Sequence, residues 1–442
     1  MISKQKSTVQ SCFFSSLSDQ LNQQHPLYLL ANKINWQTFE DNFSKHYSST
    51  IGAPSKPIRL MVSLLILKQL RNLSDESIVA HWSENLYYQY FSGEVYFKPS
   101  RPCCATELVE FRKRIGVEGI ELIFKESIKV NGNDADEDTL SADTTVQEKN
   151  ITYPTDTKLH RKIIAKCVGI AKAEGVILKQ TYRFTLKKLS ILIRLQHTKN
   201  GSKQARKARK KIKTIASRLI RELDRTLSVQ AFTKHETQLN IYKKVLLQSR
   251  SDKNKIYSLH EPEVKCYTKG KEHKKFEFGS KAAILVTQNT NVIVGAICFN
   301  ENIHDSKTLP KAIDQYEKLL DKKPKEIFAD RGYPGVKEIN GVKISIPKPQ
   351  ANITQKQRNK HKRRAAIEPI IGHLKHNYRL IKNYLKGTMG DAINLLLSAA
   401  AMNFKRVMNL WLKEAMYSCK LIYKIIINIY WNFYALNLKM TF

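Results

Sequence analysis

Thr139-Leu140-Ser141-Ala142-Asp143-Thr144-Thr145-Val146 is the stretch whose reading decides the fold. Its Thr- and Val-containing composition predicts a short buried strand, and the acidic run Asp134-Ala135-Asp136-Glu137-Asp138 ahead of it predicts a polar turn. Asp143 sits inside that strand. A carboxylate in a buried strand needs a partner or a metal, because an unpaired buried charge is too costly. The alternative is an Asp that caps a turn at the strand's end.

Further strands follow after Glu263. Phe276 to Val286 is one and Asn291 to Phe299 the next, with the polar Gln288-Asn289-Thr290-Asn291 as a hairpin turn between them. Asp305-Ser306-Lys307-Thr308-Leu309 opens a helix to about Leu320. Lys325-Glu326-Ile327-Phe328-Ala329-Asp330 is a strand ending in Asp330, turned by Arg331-Gly332-Tyr333-Pro334-Gly335. Val342 to Pro347 is another strand, stopped by its proline. From Asp143 the order is strand, insertion, strand, strand, helix, strand, helix or turn, strand, helix. This is an α/β fold, α+β in overall content, with a mixed sheet flanked by helices. In open α/β sheets, sites form at the carboxyl ends of strands. Asp143, Asp330 and Glu368 are therefore expected to converge there. Hard divalent cations want carboxylate oxygens, and two such ions clamp the attacking and leaving oxygens of a phosphoryl displacement. Asp305 and Glu326 are the next carboxylates to consider.

Glu368 lies in Arg363-Arg364-Ala365-Ala366-Ile367-Glu368-Pro369-Ile370-Ile371-Gly372-His373-Leu374-Lys375. On one continuous helix Arg364, Glu368 and Lys375 fall within about 40° of one another and share a face. Pro369 interrupts that picture by removing an N–H and disfavouring the α region at Glu368. Either a helix begins at Pro369 with Glu368 beside its N-terminus, or a longer helix kinks there. In the first case the helix dipole favours an ionised Glu368. An ordinary surface Arg–Glu pair is the competing reading.

The charge is unusual: 75 Lys+Arg stand against 39 Asp+Glu, a net charge of +36. Such an excess, spread through the chain, predicts a polyanionic partner, most simply nucleic acid. A basic membrane-surface protein would concentrate it on one helix or beside an anchor. The seven scattered cysteines include no CxxC pair, so neither a disulfide framework nor a zinc ribbon is expected. With no signal-like apolar run after Met1, a cytoplasmic, nucleoid-associated protein is expected. Residues 1–130 read as an N-terminal helical, DNA-binding region. Within it, Ile58 to Arg71 and Ser74 to Tyr87 suggest either a helix-turn-helix unit or a plain helical hairpin. Residues 131–415 form the second domain, interrupted at about 155–250 by a basic helical insertion. There Lys207, Arg209, Lys210 and Lys211 line a cationic face, backed by Ile212, Ile215, Leu219 and Leu223. Phosphate contact is expected of that face, a merely solvated surface being the alternative. The tail 416–442 contains an apolar stretch, Ile425 to Leu436, too short for the ~20 residues of a bilayer span.

The chain resembles DDE transposases of bacterial insertion sequences, and is most similar to the IS5 family. The resemblance rests on Ser141 to Lys149, Phe276-Glu277-Phe278-Gly279, Ala329-Asp330-Arg331-Gly332-Tyr333 and Ile367 to Lys375, with the helical segment around 50–130. It implies an RNase H-like core with Asp143, Asp330 and Glu368 as catalytic triad and as ligands of Mg²⁺ or Mn²⁺, bound as two ions. The family's Tyr-Arg-Glu-Lys signature is matched by Arg364 and Lys375 as phosphate-binding residues, while its Tyr position holds His361. The implied reaction is metal-dependent hydrolysis at the element's ends, then attack of the freed 3′-hydroxyl on target DNA. The implied partners are double-stranded DNA, at the terminal inverted repeats and the target, and a second copy of the chain. The competing functions are a catalytically inactive, transposase-derived DNA-binding protein and an RNase H-like nuclease.

Overall fold

The computed structural model describes residues 16–439 apart from 49, 250, 272–273, 334–336 and 348–353. The N-terminal Met1 to Lys6, Cys12 and the Pro334-Gly335 part of the predicted turn lie outside the described residues.

Among the described residues, seven helices precede the sheet: α1 (Leu17–Gln20), α2 (Pro26–Lys33), α3 (Trp36–Phe43), α4 (Ile58–Leu70), α5 (Asp75–Trp82), α6 (Leu86–Phe91) and α7 (Ala105–Val130). Gly116 kinks α7, at φ 63°, where a side chain would be strained. α4 is almost wholly buried, packed against α3, α5 and α7. The second predicted helix is also two, α5 and α6, because the Asn85 side chain accepts from Tyr88 N and starts a new one.

The sheet begins with β1 (Thr139–Glu148). The helices α8 (Asp156–Ala173), α9 (Arg183–Arg194), α10 (Gly201–Thr226) and α11 (Val229–Leu247) then intervene. They enclose an apolar core of their own, including Ile163, Ile212, Leu219, Leu239 and Tyr242. The chain returns as β2 (Lys265–Lys271), β3 (Lys274–Thr287) and β4 (Ile293–Phe299). A 3-10 turn at Asp305–Thr308 leads into α12 (Leu309–Leu320), β5 (Glu326–Phe328), β6 (Glu338–Ile339) and β7 (Val342–Ser345). β6 and β7 are joined by Asn340-Gly341, both at positive φ, as a tight hairpin requires.

β1 pairs antiparallel with β3 and parallel with β5, β3 pairs antiparallel with β4, and β5 pairs parallel with β7. The core order β4-β3-β1-β5-β7 is RNase H-like, flanked by helices. β2, which the sequence pattern does not separate, pairs with the first half of β3. Its three lysines and one glycine in seven residues hide it. The helices α13 (Gln355–Arg364), α14 (Ile367–Asn377) and α15 (Gly387–Lys439) close the fold, the last continuing through the apolar stretch of the tail. No helix among the described residues is long and apolar enough to cross a membrane.

Where β1 runs out, Lys149 Nζ meets Asp391 Oδ1 at 2.8 Å and Glu261 Oε2 at 3.5 Å. It also donates to the carbonyls of Leu385 and Gly387. All three charged side chains are at most 6% exposed. Lys149→Met should leave two buried carboxylates uncompensated and cost about 3–5 kcal/mol. Chemical denaturation measures this, and an unchanged midpoint would refute the role.

Candidate active site

The local chemistry of Pro369 decides how Glu368 is held. Lacking an N–H, Pro369 leaves the carbonyl of Ala365 without its helical donor, and Glu368 N donates to it instead at 3.1 Å. Ala365 and Ala366 bond back three residues in the same way, to Lys362 and Arg363. The helix is therefore broken between α13 and α14, and Arg364 and Glu368 do not share one continuous helical face. Neither predicted arrangement is met in full. α14 starts at Ile367, two residues before the proline, and Glu368 is an exposed carboxylate in its first turn. Arg363 fixes the break by donating to the carbonyls of Gln288 and Asn289 in the β3–β4 turn, at 2.9 and 2.8 Å.

This placement carries Arg364 to the strand ends. Asp143, in β1, lies beyond the last β1–β5 pair, Ser141 with Phe328, and Asp330 lies the same distance beyond β5. Arg364 Nη2 stands 3.1 Å from Asp143 Oδ2 and 3.9 Å from Asp330 Oδ2, so one guanidinium serves both carboxylates. The Arg364 side chain is 13% exposed, and its buried Nε has no hydrogen-bond partner among the described residues. The family signature gives Arg364 to phosphate. In the structure its partners are the two carboxylates.

A third carboxylate joins them. Asp305 Oδ1 accepts from Thr144 Oγ1 at 2.8 Å and from Lys281 Nζ at 2.7 Å. Thr144 N donates to Asp143 Oδ1, and Gly332 N to Asp330 Oδ1. Gly332 is a cradle: a Cβ there would stand 2.9 Å from Asp330 Oδ1 and 3.4 Å from Asp305 Oδ2. The buried Tyr333 hydroxyl registers the cluster. Burial, and then the charges of Asp143, Asp305 and Asp330, push its pKa well above the ordinary value. Sequence reasoning missed Lys281, Thr144 and Tyr333. The legible signal was Lys281, a cation inside the apolar run of β3. Glu326 stands elsewhere, bonded to Ser345 and paired with Lys343 and Lys360. Burial opposes its ionisation, but these partners outweigh it and hold the pKa low.

The remaining expected residues are dispersed. His361 packs edge to face on Phe328, with centroids 5.0 Å apart, and burial lowers its pKa, so it is neutral near pH 7. Lys375 is in the last turn of α14. Lys207, Arg209, Lys210 and Lys211 are exposed on α10, with Arg209 bonded to Gln196. Among the described residues, no three His, Cys, Asp or Glu side chains are grouped closely enough to hold a metal ion. The donor set nevertheless suits a hard divalent cation. Asp143 and Asp330 face one cationic centre through carboxylate oxygens, and the missing side chain at Gly332 lets its backbone approach Asp330 closely.

Residues 15–114 match a family model described as "Transposase domain (DUF772)", and residues 250–404 one described as "Transposase DDE domain". The chain belongs to the DDE transposases. Asp330, Arg364, Glu368 and Lys375, with Asp305 and Lys281, fall inside the second match; Asp143 and α8 to α11 lie between the two. A Rhizobium meliloti relative, "Uncharacterized protein ORF8 in nfe locus", is 36% identical over 179 residues, covering 39% of this transposase and 86% of the relative. No solved structure matches it.

If Arg364 and a divalent cation compete for the same carboxylates, Arg364→Ala should tighten Mn²⁺ binding about tenfold, the scale of a hydrogen bond to a charged group. Calorimetric titration of the metal-free protein reads this directly. Unchanged affinity would show that guanidinium and metal occupy separate places.

Proposed function

We propose that this transposase acts on the ends of its own insertion sequence, in the manner of the IS5 family it resembles. It binds the terminal inverted repeats, cleaves the DNA ends by hydrolysis and joins the 3′-hydroxyls to target DNA. One observation carries the reading: Asp143 and Asp330, remote in sequence, share a single cationic group just past the last parallel pair of β1 and β5. Asp143, Asp330 and Glu368 would hold Mg²⁺ or Mn²⁺, as two ions. When bound, the metal activates the attacking oxygen and neutralises charge on the leaving one. Lys281 and Thr144 fix Asp305 beside these carboxylates and so keep the two strand-end turns in register. Arg364, released from the carboxylates, and Lys375 would orient the scissile phosphate. The exposed cations of α10 would hold the duplex backbone. Cutting two ends calls for a homodimer or larger assembly on DNA, in the bacterial cytoplasm.

Glu368→Gln keeps the shape and removes the charge. It should lower cleavage and strand transfer by at least about two orders of magnitude, more than the loss of an outer-shell partner costs. Asp143→Asn and Asp330→Asn should do the same, all three keeping their affinity for the terminal repeats. A strand-transfer assay on the gene's own flanking ends measures this, and wild-type cleavage by Glu368→Gln would remove Glu368 from the triad.

Replacing Lys207, Arg209, Lys210 and Lys211 by Ala should weaken binding and flatten its salt dependence by roughly one unit of slope for each phosphate no longer neutralised. A salt titration with unchanged affinity and slope would reduce that face to a solvated surface.

A further inference from the structure

A second concave surface lies at the far end of β1. The first residues of the insertion, the first half of β3 and the loop between α14 and α15 wall a groove of ≈ 730 Å³. Tyr153, Phe276, Phe278, Ile381, Lys275 and Lys382 line it. Tyr153 meets Phe278 edge to face with centroids 5.4 Å apart, and Lys275 Nζ lies 5.8 Å from the Phe276 ring centre. Tyr153 is 57% exposed. Tyr384, on the same loop as Ile381 and Lys382, is 58% exposed and flanked by Arg379 and Lys382 at 5.6 and 6.0 Å.

Exposed rings set among cations suit a ligand that is aromatic and anionic together. Single-stranded nucleic acid is both: its bases stack on rings while its phosphates meet Lys and Arg. A duplex keeps its bases stacked on one another and presents none to such a groove. Glu148 is the one carboxylate among the described lining residues, against the cations Lys149, Lys275 and Lys382.

We infer that this groove, extended along the loop of Ile381 and Lys382 to the exposed Tyr384, binds unpaired nucleotides of a DNA strand, stacking bases on Tyr153, Phe276 and Tyr384 and pairing phosphates with Lys275, Lys382 and Arg379. Its position relative to the carboxylates follows from α14. That helix starts just after Arg364, beside Asp143. The chain leaving it returns to β1 at Asn383, where Asn383 N donates to Glu148 O at 2.7 Å and Asn150 N donates to Asn383 O at 2.9 Å. Asp143 and Glu148, which lines the groove, are five residues apart on β1, about 16 Å at ~3.3 Å per residue. A strand of roughly five nucleotides covers that distance even at the ~3.4 Å spacing of a stacked strand. One strand therefore reaches both places. Only the identity of that strand rests on the transposition reading, so the test uses binding without cleavage.

The full-length protein is titrated in chelator with a short single-stranded oligonucleotide carrying 2-aminopurine, and separately with its duplex. Single-strand binding should quench the fluorescence. Tyr153→Ala with Tyr384→Ala should abolish the quench and weaken single-strand affinity about tenfold or more, leaving duplex affinity within about twofold. Tyr→Phe at both positions should restore both. Lys275→Ala with Lys382→Ala, which removes no ring, should lower the salt slope by about 1.4, at ~0.7 per phosphate on a single strand, while the quench at saturation persists. Unchanged single-strand affinity, or an equal weakening on single strand and duplex, would overturn the inference. So would a change of oligomeric state in the Tyr variants, which would make the groove a contact between copies. Failure of the wild-type protein to cleave in Mg²⁺ would count against transposition and leave this result standing.

Discussion

The buried ammonium of Lys149 is the point on which the two halves of the catalytic domain depend. It is reached where β1 ends, and its two carboxylate partners come from where the chain returns, at Glu261, and from the first turns of α15, at Asp391. Glu261 also accepts from Gly387 N at the start of α15, while Asn383 bonds both Asp391 and the backbone beside Lys149. Three chain segments remote in sequence are thereby fastened in one desolvated place. Such a cluster is a weak source of net stability but a strict condition on geometry, since each partner is costly to leave alone. With its necks fixed, the helical insertion hangs from the sheet without pulling β1 out of register.

β1 in turn positions the candidate site. Its antiparallel edge on β3 supplies Lys281, and its parallel edge on β5 brings Asp330 alongside Asp143. Arg363 and Arg364, adjacent in sequence, divide two tasks. The first anchors the helix break to the β3–β4 turn and the second enters the carboxylate cluster. Pro369 makes that division possible by forcing the tight turn that precedes α14. Glu368 is exposed and Arg364 largely enclosed on either side of that turn.

Much of this architecture was legible in the sequence, because the five core strands carry β-branched, apolar runs and their order alone suggests a mixed sheet. The insertion was legible from its basic, periodic composition, which α10 realises with Ile212, Ile215 and Leu219 buried and Lys210 and Lys211 exposed. What was hidden depended on tertiary context. The apolar α4 announces its own burial, but not which elements enclose it. β2, with three lysines and a glycine in seven residues, does not register as a strand. Arg364 has the spacing of a phosphate ligand, and only the fold reveals that two aspartates reach it first. Asp305 stood out only as a spare carboxylate, because the Lys281 and Thr144 that hold it come from two other strands.

The separate core of α8 to α11 also governs the order in which this chain can fold. β1 leaves the ribosome long before β3, its main partner, and every helix of the insertion must emerge between them. Closing a flexible loop costs entropy that grows with its length, roughly as (3/2)RT ln n. A loop that has already collapsed around Ile163, Leu219 and Tyr242 is no longer flexible. Its two ends emerge close together, and the effective loop that the sheet must close is short. The insertion thus serves as a folding template for the strand pair on either side of it, and β1, with the aspartate it carries, waits unpaired until that template is made.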